Sequence, residues 1–456
     1  MVIPSIFRAY DIRGVYETEF DRQGVIDIAK AYGTILLEKA GKTELTICVG
    51  RDGRLHGQEV MNAFLEGIKS TGIQVVNIGL STSPMLYFST FYGKFDGGVI
   101  ITASHNSKEY NGFKMLGAGG QALRGDEITA VYDKIESKSF IEASDPGGET
   151  AQSFWKEYQA KLLSFVQGEE FCAKIVIDAG NGVTGMFAPN LFRKMGLYPV
   201  ELYCDVNGAF PNHLADPEDV STLKDLQERV LSSGADFGIA FDGDGDRFGI
   251  VDHTGKIYGA DYIFLILIKD IFERQSGINI VHNVSTSSLV SDEITAHGGK
   301  PVECRVGHSF IKDKMKEVDA MMGGEPSGHF FFAEDYYGFD DAFLAAIRVL
   351  SYLLRKDMTL EEVFKDLPEM YTSHELKIKV SDEKKQEVLK NVKAICEEKY
   401  KCSDIDGVKV FFGDGSWVIC RVSNTNPEIK IRSEARSEAV MQERLDYIQE
   451  VLARFI

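Results

Sequence analysis

One arrangement recurs three times along this chain and constrains its fold more than any other feature. A β-rich run (Leu45–Val49, Lys174–Ile177, Ile278–Val281) meets a glycine-rich or polar turn, and a helical pattern follows. In the first copy Val60, Phe64 and Ile68 are spaced by four, with Gly72 placed as a C-cap. Each copy ends in a second apolar strand that runs into an unusual loop. Gly98–Thr102 leads to Ala103-Ser104-His105-Asn106, and Phe237–Phe241 leads to Asp242-Gly243-Asp244-Gly245-Asp246-Arg247. Ala320–Met322 leads to Gly323-Gly324-Glu325-Pro326-Ser327-Gly328-His329. Strands alternating with helices predict parallel α/β sheets, whose ligands bind at the carboxyl ends of strands. Three such loops can face one shared cleft, or they can be unrelated turns of three independent domains.

Length fits the repeat. At roughly 100–200 residues per domain, 456 residues make about three or four domains. The stretch from Ser144 to Ser153, with Pro146-Gly147-Gly148, reads as a linker. Beyond Leu367-Pro368 the pattern changes. Leu376, Ile378 and Val380 alternate with lysines as in a half-exposed strand. Val388, Val392 and Ile395 share a helical face, Val408–Phe412 and Trp417–Val422 read as a hairpin, and a last helix follows. This is a smaller α+β domain, not a fourth repeat.

A net charge of −19 disfavours a nucleic-acid partner, yet a few converging Arg and Lys residues still suffice for a small phosphorylated substrate. Seven scattered cysteines without a CxxC pair argue against a disulfide framework or a Cys-type zinc site, and predict a reducing compartment. The longest apolar run, Tyr262–Ile268, is too short for a membrane span, and Arg8, Asp11 and Arg13 interrupt any signal-peptide core. A cytoplasmic protein is expected.

Among the motifs, Asp242, Asp244 and Asp246 stand out. Three carboxylates at alternate positions repel unless a cation sits among them, and the intervening glycines let the backbone curl so that they converge. Hard oxygen ligands suit Mg²⁺. A calcium EF-hand would need Gly at Arg247 and Glu at His253. Ser104 is either a turn residue or, with a base and a metal nearby, a nucleophile or phosphoryl carrier. His105 beside it reads as a residue that structures the loop. Lys114 can neutralise phosphate, move a proton or simply be solvated. Gly180-x-Gly182-x-x-Gly185 matches a dinucleotide fingerprint, with Glu201 or Asp205 as the acidic partner, but tight strand–turn–helix packing gives the same pattern. Arg421-Val422-Ser423-Asn424-Thr425-Asn426-Pro427 offers a guanidinium fork, hydroxyls and an amide for phosphate oxygens, or an ordinary turn. His308 and His329 are candidates for proton transfer near neutral pH. No GxxxxGK[ST] sequence is present.

Taken together, Phe7–Gly14, Thr102–Asn106, Asp242–Arg247, Gly324–His329 and Arg421–Pro427 resemble, in order and spacing and over nearly the whole chain, the α-D-phosphohexomutase superfamily. The form of the last two motifs is similar to its phosphomannomutase/phosphoglucomutase members, and less so to phosphoglucosamine mutases. The resemblance implies three similar α/β domains with mixed sheets plus a smaller C-terminal α+β domain around a central cleft. They would be 1–150 with a phosphoserine loop, 151–255 with a metal loop, 256–368 with a sugar loop and 369–456 with a phosphate-binding loop.

It further implies that Ser104 carries the phosphoryl group and, with Asp242, Asp244 and Asp246, binds Mg²⁺. Lys114, Arg247, Arg13, His308 and His329 become catalytic candidates. Tyr10, Arg13, Glu325, Ser327, His329, Arg421, Ser423, Asn424 and Thr425 become substrate contacts. A hexose 1-phosphate and 6-phosphate (mannose or glucose) would interconvert, with hexose 1,6-bisphosphate as primer, on a monomer or homodimer with neither nucleic-acid nor membrane partners. Ser107 stands where many relatives have Pro, which bears on loop stiffness. A metal-dependent sugar phosphatase, a dinucleotide-dependent dehydrogenase and a sugar-phosphate binding protein are the alternatives.

Overall fold

The computed structural model describes residues 1–456 except 42–43 and 424–426, together with the side chain of 382. Its first sheet is built from β1 (Ile12–Val15), β2 (Thr46–Arg51), β3 (Gln74–Leu80), β4 (Gly97–Ile101), β5 (Tyr110–Leu116) and β6 (Glu149–Ala151), in the order β1-β5-β4-β2-β3-β6. Strands β4, β2, β3 and β6 are parallel, whereas β5 pairs antiparallel with β4 and β1. The helices Arg22–Ala40 and Gly57–Ser70 supply Val25, Ile28, Phe64 and Ile68 to its core, and Gly72 takes φ +90° just past the second helix. The expected linker is partly a strand. Glu149–Ala151 forms edge strand β6 on β3, but all three residues are exposed, so no apolar alternation announces it. Gly147 permits the close approach, because a Cβ there would lie 1.9 Å from the carbonyl oxygen of Ile73.

The second sheet repeats the plan with β7 (Lys174–Asp178), β8 (Tyr198–Leu202), β9 (Phe237–Phe241), β10 (Phe248–Asp252) and β11 (Ile257–Tyr258), ordered β11-β10-β9-β7-β8. Here β8, β7 and β9 are parallel and β10 turns back antiparallel on β9. The serine and acidic loops therefore occupy equivalent places. Each leaves the carboxyl end of a fully buried parallel strand and returns as its antiparallel neighbour. In the third region β12 (Asn279–Asn283) pairs in parallel with β13 (Lys300–Cys304) and β14 (Met322–Gly324), and β15 (Phe330–Phe332) pairs antiparallel with β16 (Phe339–Asp340).

The C-terminal domain is antiparallel throughout. It contains β17 (Tyr371–Thr372), β18 (Leu376–Lys379), β19 (Lys401–Ser403), β20 (Val408–Phe411), β21 (Trp417–Val422) and β22 (Glu428–Ala435). Their order is β17-β22-β21-β20-β19, with β18 also on β22. Val392 and Ile448 of the helices Asp382–Glu397 and Glu438–Leu452 pack on Val410, Val418 and Ile431. The chain thus has three α/β domains followed by a smaller one, and it forms two compact units, residues 1–263 with 327–357 and residues 264–326 with 358–456. Among the described residues no helix is long and apolar enough to cross a membrane.

Candidate active site

Ser104 is the first central residue of the turn Ala103–Asn106 after β4, with φ +49°, a left-handed conformation rare for a residue bearing a Cβ. Its amide donates to Thr102 Oγ1 at 2.9 Å, and its hydroxyl donates to Asp242 Oδ2 at 2.7 Å. The two loops touch at their backbones: a Cβ on Gly243 would lie 2.5 Å from the Ser104 carbonyl oxygen, so only glycine fits there.

Asp242 organises its own loop. Its Oδ1 accepts the amides of Gly245, Asp246 and Arg247 at 2.9, 3.0 and 3.2 Å. Ser83, at the start of the helix Ser83–Tyr92, donates its hydroxyl to Asp244 Oδ2 at 2.6 Å. Lys114 arrives from β5, where it faces Ile100 of β4. Its ammonium donates to Asp244 Oδ2 at 2.6 Å and to Asp246 Oδ2. Burial alone would lower the Lys114 pKa, but Asp244 and Asp246 hold it well above the usual lysine range. Burial and the charges of Asp246 and Asp244 push the Asp242 carboxyl well up. At Asp246 burial acts the same way but is outweighed by Lys114 and His329, which hold it well down.

The three carboxylates each offer an oxygen within 4.8 Å of the others. Asp244 Oδ1 is buried with no hydrogen-bond partner among the described residues, and Asp246 Oδ1 faces His329 Nε2 at 3.4 Å. An unsatisfied buried carboxylate oxygen is costly, and an all-oxygen anionic set of this kind fits a hard divalent cation.

Arg247 follows directly. Its guanidinium reaches Asp242 Oδ2 at 3.4 Å, Glu218 Oε2 at 3.3 Å and Asp216 Oδ1 at 3.5 Å, and Nη2 lies 3.4 Å from the Ser104 hydroxyl. It also contacts His105 Nδ1, which stands 3.1 Å from Ser104 Oγ. Burial, with Arg247 and Arg13 nearby, keeps the His105 imidazole well below its usual pKa, hence neutral and able to accept. Arg13 donates to Asn106 Oδ1 at 2.8 Å and pairs with Asp11 at 2.5 Å. Tyr10 is half-buried in the turn closed by the Phe7–Ile12 bridge. His329 bridges backbone-to-backbone with Arg247, and its Nδ1 lies 3.0 Å from Ser327 Oγ.

The second unit carries the remaining candidates. Glu325, buried, accepts from Asn283 Nδ2 at 3.0 Å. His308 opens the helix His308–Glu317 after Gly307. Arg421 pairs with Glu375 at 3.0 Å, and the Ser423 carbonyl accepts from Lys385 at 3.0 Å. Asn424 and Thr425 lie outside the described residues.

The structure decides one reading that the sequence left open and adds residues that the sequence did not mark. The space a dinucleotide would need beside Gly182 is filled by the acidic loop, since a Cβ there would meet Gly243 Cα at 3.0 Å. Asp52, Arg54, Ser83 and Asn283 were not legible as site residues, because each looks locally like a turn or cap; only Arg51-Asp52-Gly53-Arg54, charged and closing a buried strand, could have pointed to one.

Models described as phosphoglucomutase/phosphomannomutase alpha/beta/alpha domains I, II and III match residues 4–142, 156–255 and 259–371, and the C-terminal domain model matches 375–451. The chain is 36% identical over 440 residues to a phosphomannomutase/phosphoglucomutase of Pseudomonas syringae, covering 96% of this chain and 93% of that one. It is 38% identical over 443 residues to a phosphoglucomutase of Neisseria meningitidis serogroup A, covering 96% and 94%. A crystal structure of a phosphoglucomutase/phosphomannomutase family protein from Burkholderia thailandensis superposes with a TM-score of 0.92 at 32% identity, over 99% of this chain and 98% of that chain.

Proposed function

Because the chain belongs to the phosphoglucomutase/phosphomannomutase family, we propose that it is a phosphohexomutase that interconverts the 1- and 6-phosphates of mannose or glucose through a phosphoserine at Ser104. The observation that carries this is the Ser104 hydroxyl, 2.7 Å from Asp242 in a centre that also gathers Lys114 and Arg247. Phosphoryl transfer is chiefly positioning and charge neutralisation, and such a centre supplies both.

In this reading the phosphoserine O–P bond breaks as a sugar oxygen takes the phosphoryl group and gives up its proton. The resulting hexose 1,6-bisphosphate turns and returns its other phosphate to Ser104. Added bisphosphate serves as primer. Asp242, Asp244 and Asp246, with an oxygen on Ser104, would hold Mg²⁺, which supplies positive charge to the transferring group. Arg247 lies beside the Ser104 oxygen and neutralises the same charge, and Lys114 keeps Asp244 and Asp246 in place. His329, braced by Ser327, and His308 are the proton carriers. Tyr10 and Arg13 contact substrate, and Glu325 with Ser327 grips the sugar hydroxyls. Arg421, Ser423, Asn424 and Thr425 take the phosphate that is not transferred. A hydrolase needs no such second grip.

The test follows mannose 1-phosphate by ³¹P NMR with the protein, Mg²⁺ and a trace of glucose 1,6-bisphosphate. Appearance of the 6-phosphate, abolished by EDTA, is the expected outcome. Inorganic phosphate in its place would mean a phosphatase. No change with mannose, glucose or glucosamine phosphates would overturn the reading.

A further inference from the structure

Arg54 lies outside the roles proposed above, yet its side chain is fully committed. It is 2% exposed. Nη2 donates to the carbonyl oxygens of Ser104 at 2.7 Å and Asn106 at 2.6 Å, and Nη1 to those of Ser107 at 2.7 Å and Tyr110 at 3.0 Å. Nε donates to Asp52 Oδ2 at 3.2 Å. A guanidinium has five N–H donors, and all are used, four of them on carbonyls between Ser104 and the first residue of β5. Asp52 Oδ2 also accepts the Thr102 hydroxyl at 2.7 Å, and Thr102 Oγ1 in turn accepts the Ser104 amide. The ring of Phe210 covers the guanidinium, 5.3 Å from its centroid.

This network answers two demands of the turn. Ser104 sits at φ +49°, a strained conformation for a residue with a Cβ that persists only where the surroundings over-determine it. Ser107 also lacks the ring stiffness of proline, so the turn must be held from outside.

We propose that Arg54 is a positioning residue for phosphoryl transfer: it fixes the carbonyls from Ser104 to Tyr110 so that the Ser104 oxygen stays aimed at the acceptor. The proposal rests on Ser104 being the phosphoryl carrier. A lysine keeps the charge beside Asp52 but has a point of three donors in place of a planar fork, so it cannot hold four carbonyls at once.

The experiment compares wild type, Arg54→Lys and Arg54→Gln in steady-state turnover and in single-turnover phosphorylation of Ser104 by glucose 1,6-bisphosphate, read by intact mass. Rates are normalised to the folded fraction from thermal melts. A misplacement of about 1 Å can cost about 10²-fold. The expected result is therefore a tenfold to hundredfold fall in kcat and in the phosphorylation rate. KM should stay within threefold, and Arg54→Lys should remain the more active variant. If Arg54→Gln does not fold, Arg54→Lys carries the test. Folded Arg54→Lys with kcat within twofold of wild type, or with its loss confined to KM, would overturn the proposal. Inactive wild type would count against the phosphohexomutase reading, whereas active wild type with an undiminished variant counts against Arg54 alone.

Discussion

The loop after β9 and the last residues of β21 both carry groups suited to phosphate chemistry, but on strands of different kinds. Every residue of Phe237–Phe241 is buried, and the loop that follows holds its three carboxylates at 0–1% exposure. β21 is buried only over its first four residues; Arg421 and Val422 are half-buried. In the acidic loop the partners come from distant segments: Ser104 donates to Asp242, and Lys114 pairs with Asp244 and Asp246, so that displacing the lysine would leave two buried carboxylates without that cation. Arg421 instead meets Glu375, whose side chain is 33% exposed and also binds Lys430 at 2.7 Å. A screened pair of that kind is worth little and exchanges partners readily. In the proposed reading the buried centre suits a step that tolerates no misplacement, and an Arg421 guanidinium held by a partly exposed carboxylate suits a group that trades this partner for a phosphate.

Substitutions can break or sharpen that contrast. Ser104→Ala, at the serine that donates to the acidic loop, should lower kcat on the order of 10⁴-fold or more while substrate binding persists. A discontinuous mutase assay with binding by calorimetry reads both, and retained turnover would remove the phosphoserine.

Lys114→Met leaves Asp244 and Asp246 buried beside one another without their cation, at a cost of about 3–5 kcal/mol. Thermal unfolding in EDTA should show the loss, and millimolar Mg²⁺ should recover part of it. A variant as stable as wild type in EDTA would mean that the triad does not depend on this ammonium.

Asp341 tests burial in the first unit without touching the chemistry. Burial pushes its carboxyl from 3.8 up to about 6, against hydrogen bonds from Tyr336, the Leu344 amide and Tyr158. The folded state then binds the proton more tightly than the unfolded chain. The stabilising contribution is whole below pH 3.8 and is lost as pH rises through about 6. Asp341→Asn should remove that slope, improving relative to wild type by about 3 kcal/mol between pH 3 and pH 7. Urea midpoints at the two pH values check this, and a constant difference would refute it.

Smallest is Arg421→Ala. Loss of a charge-assisted grip worth about 1.5–3 kcal/mol should raise KM roughly tenfold to a hundredfold. Initial-rate kinetics should leave kcat within threefold, and a loss of kcat alone would make the two loops alike.

Local spacing made part of this molecule readable. The alternation of Asp242, Asp244 and Asp246 with glycine, the polar turn at Ser104 after an apolar strand, and the repeated strand–helix script all lie within short windows where period and turn chemistry act directly. Strand β6 escaped notice because its three exposed residues are held by backbone pairing alone, with no side-chain pattern to betray it. The Gly180–Gly185 turn was ambiguous for a related reason: a backbone making room for phosphate and one making room for another backbone need the same glycines. The approach of Gly243 decided between them.

Which residues could carry the chemistry was legible from the chain alone, because carboxylates, a serine and a lysine announce their reactivity one at a time. Only tertiary structure decided which of them act together. Lys114 reaches Asp244 across 130 residues, and Arg54 reaches the serine turn across 50 to 56. Such pairings depend on strand order and on the free energy of burying a charge only where its partner waits, and neither is written in any local stretch of chain.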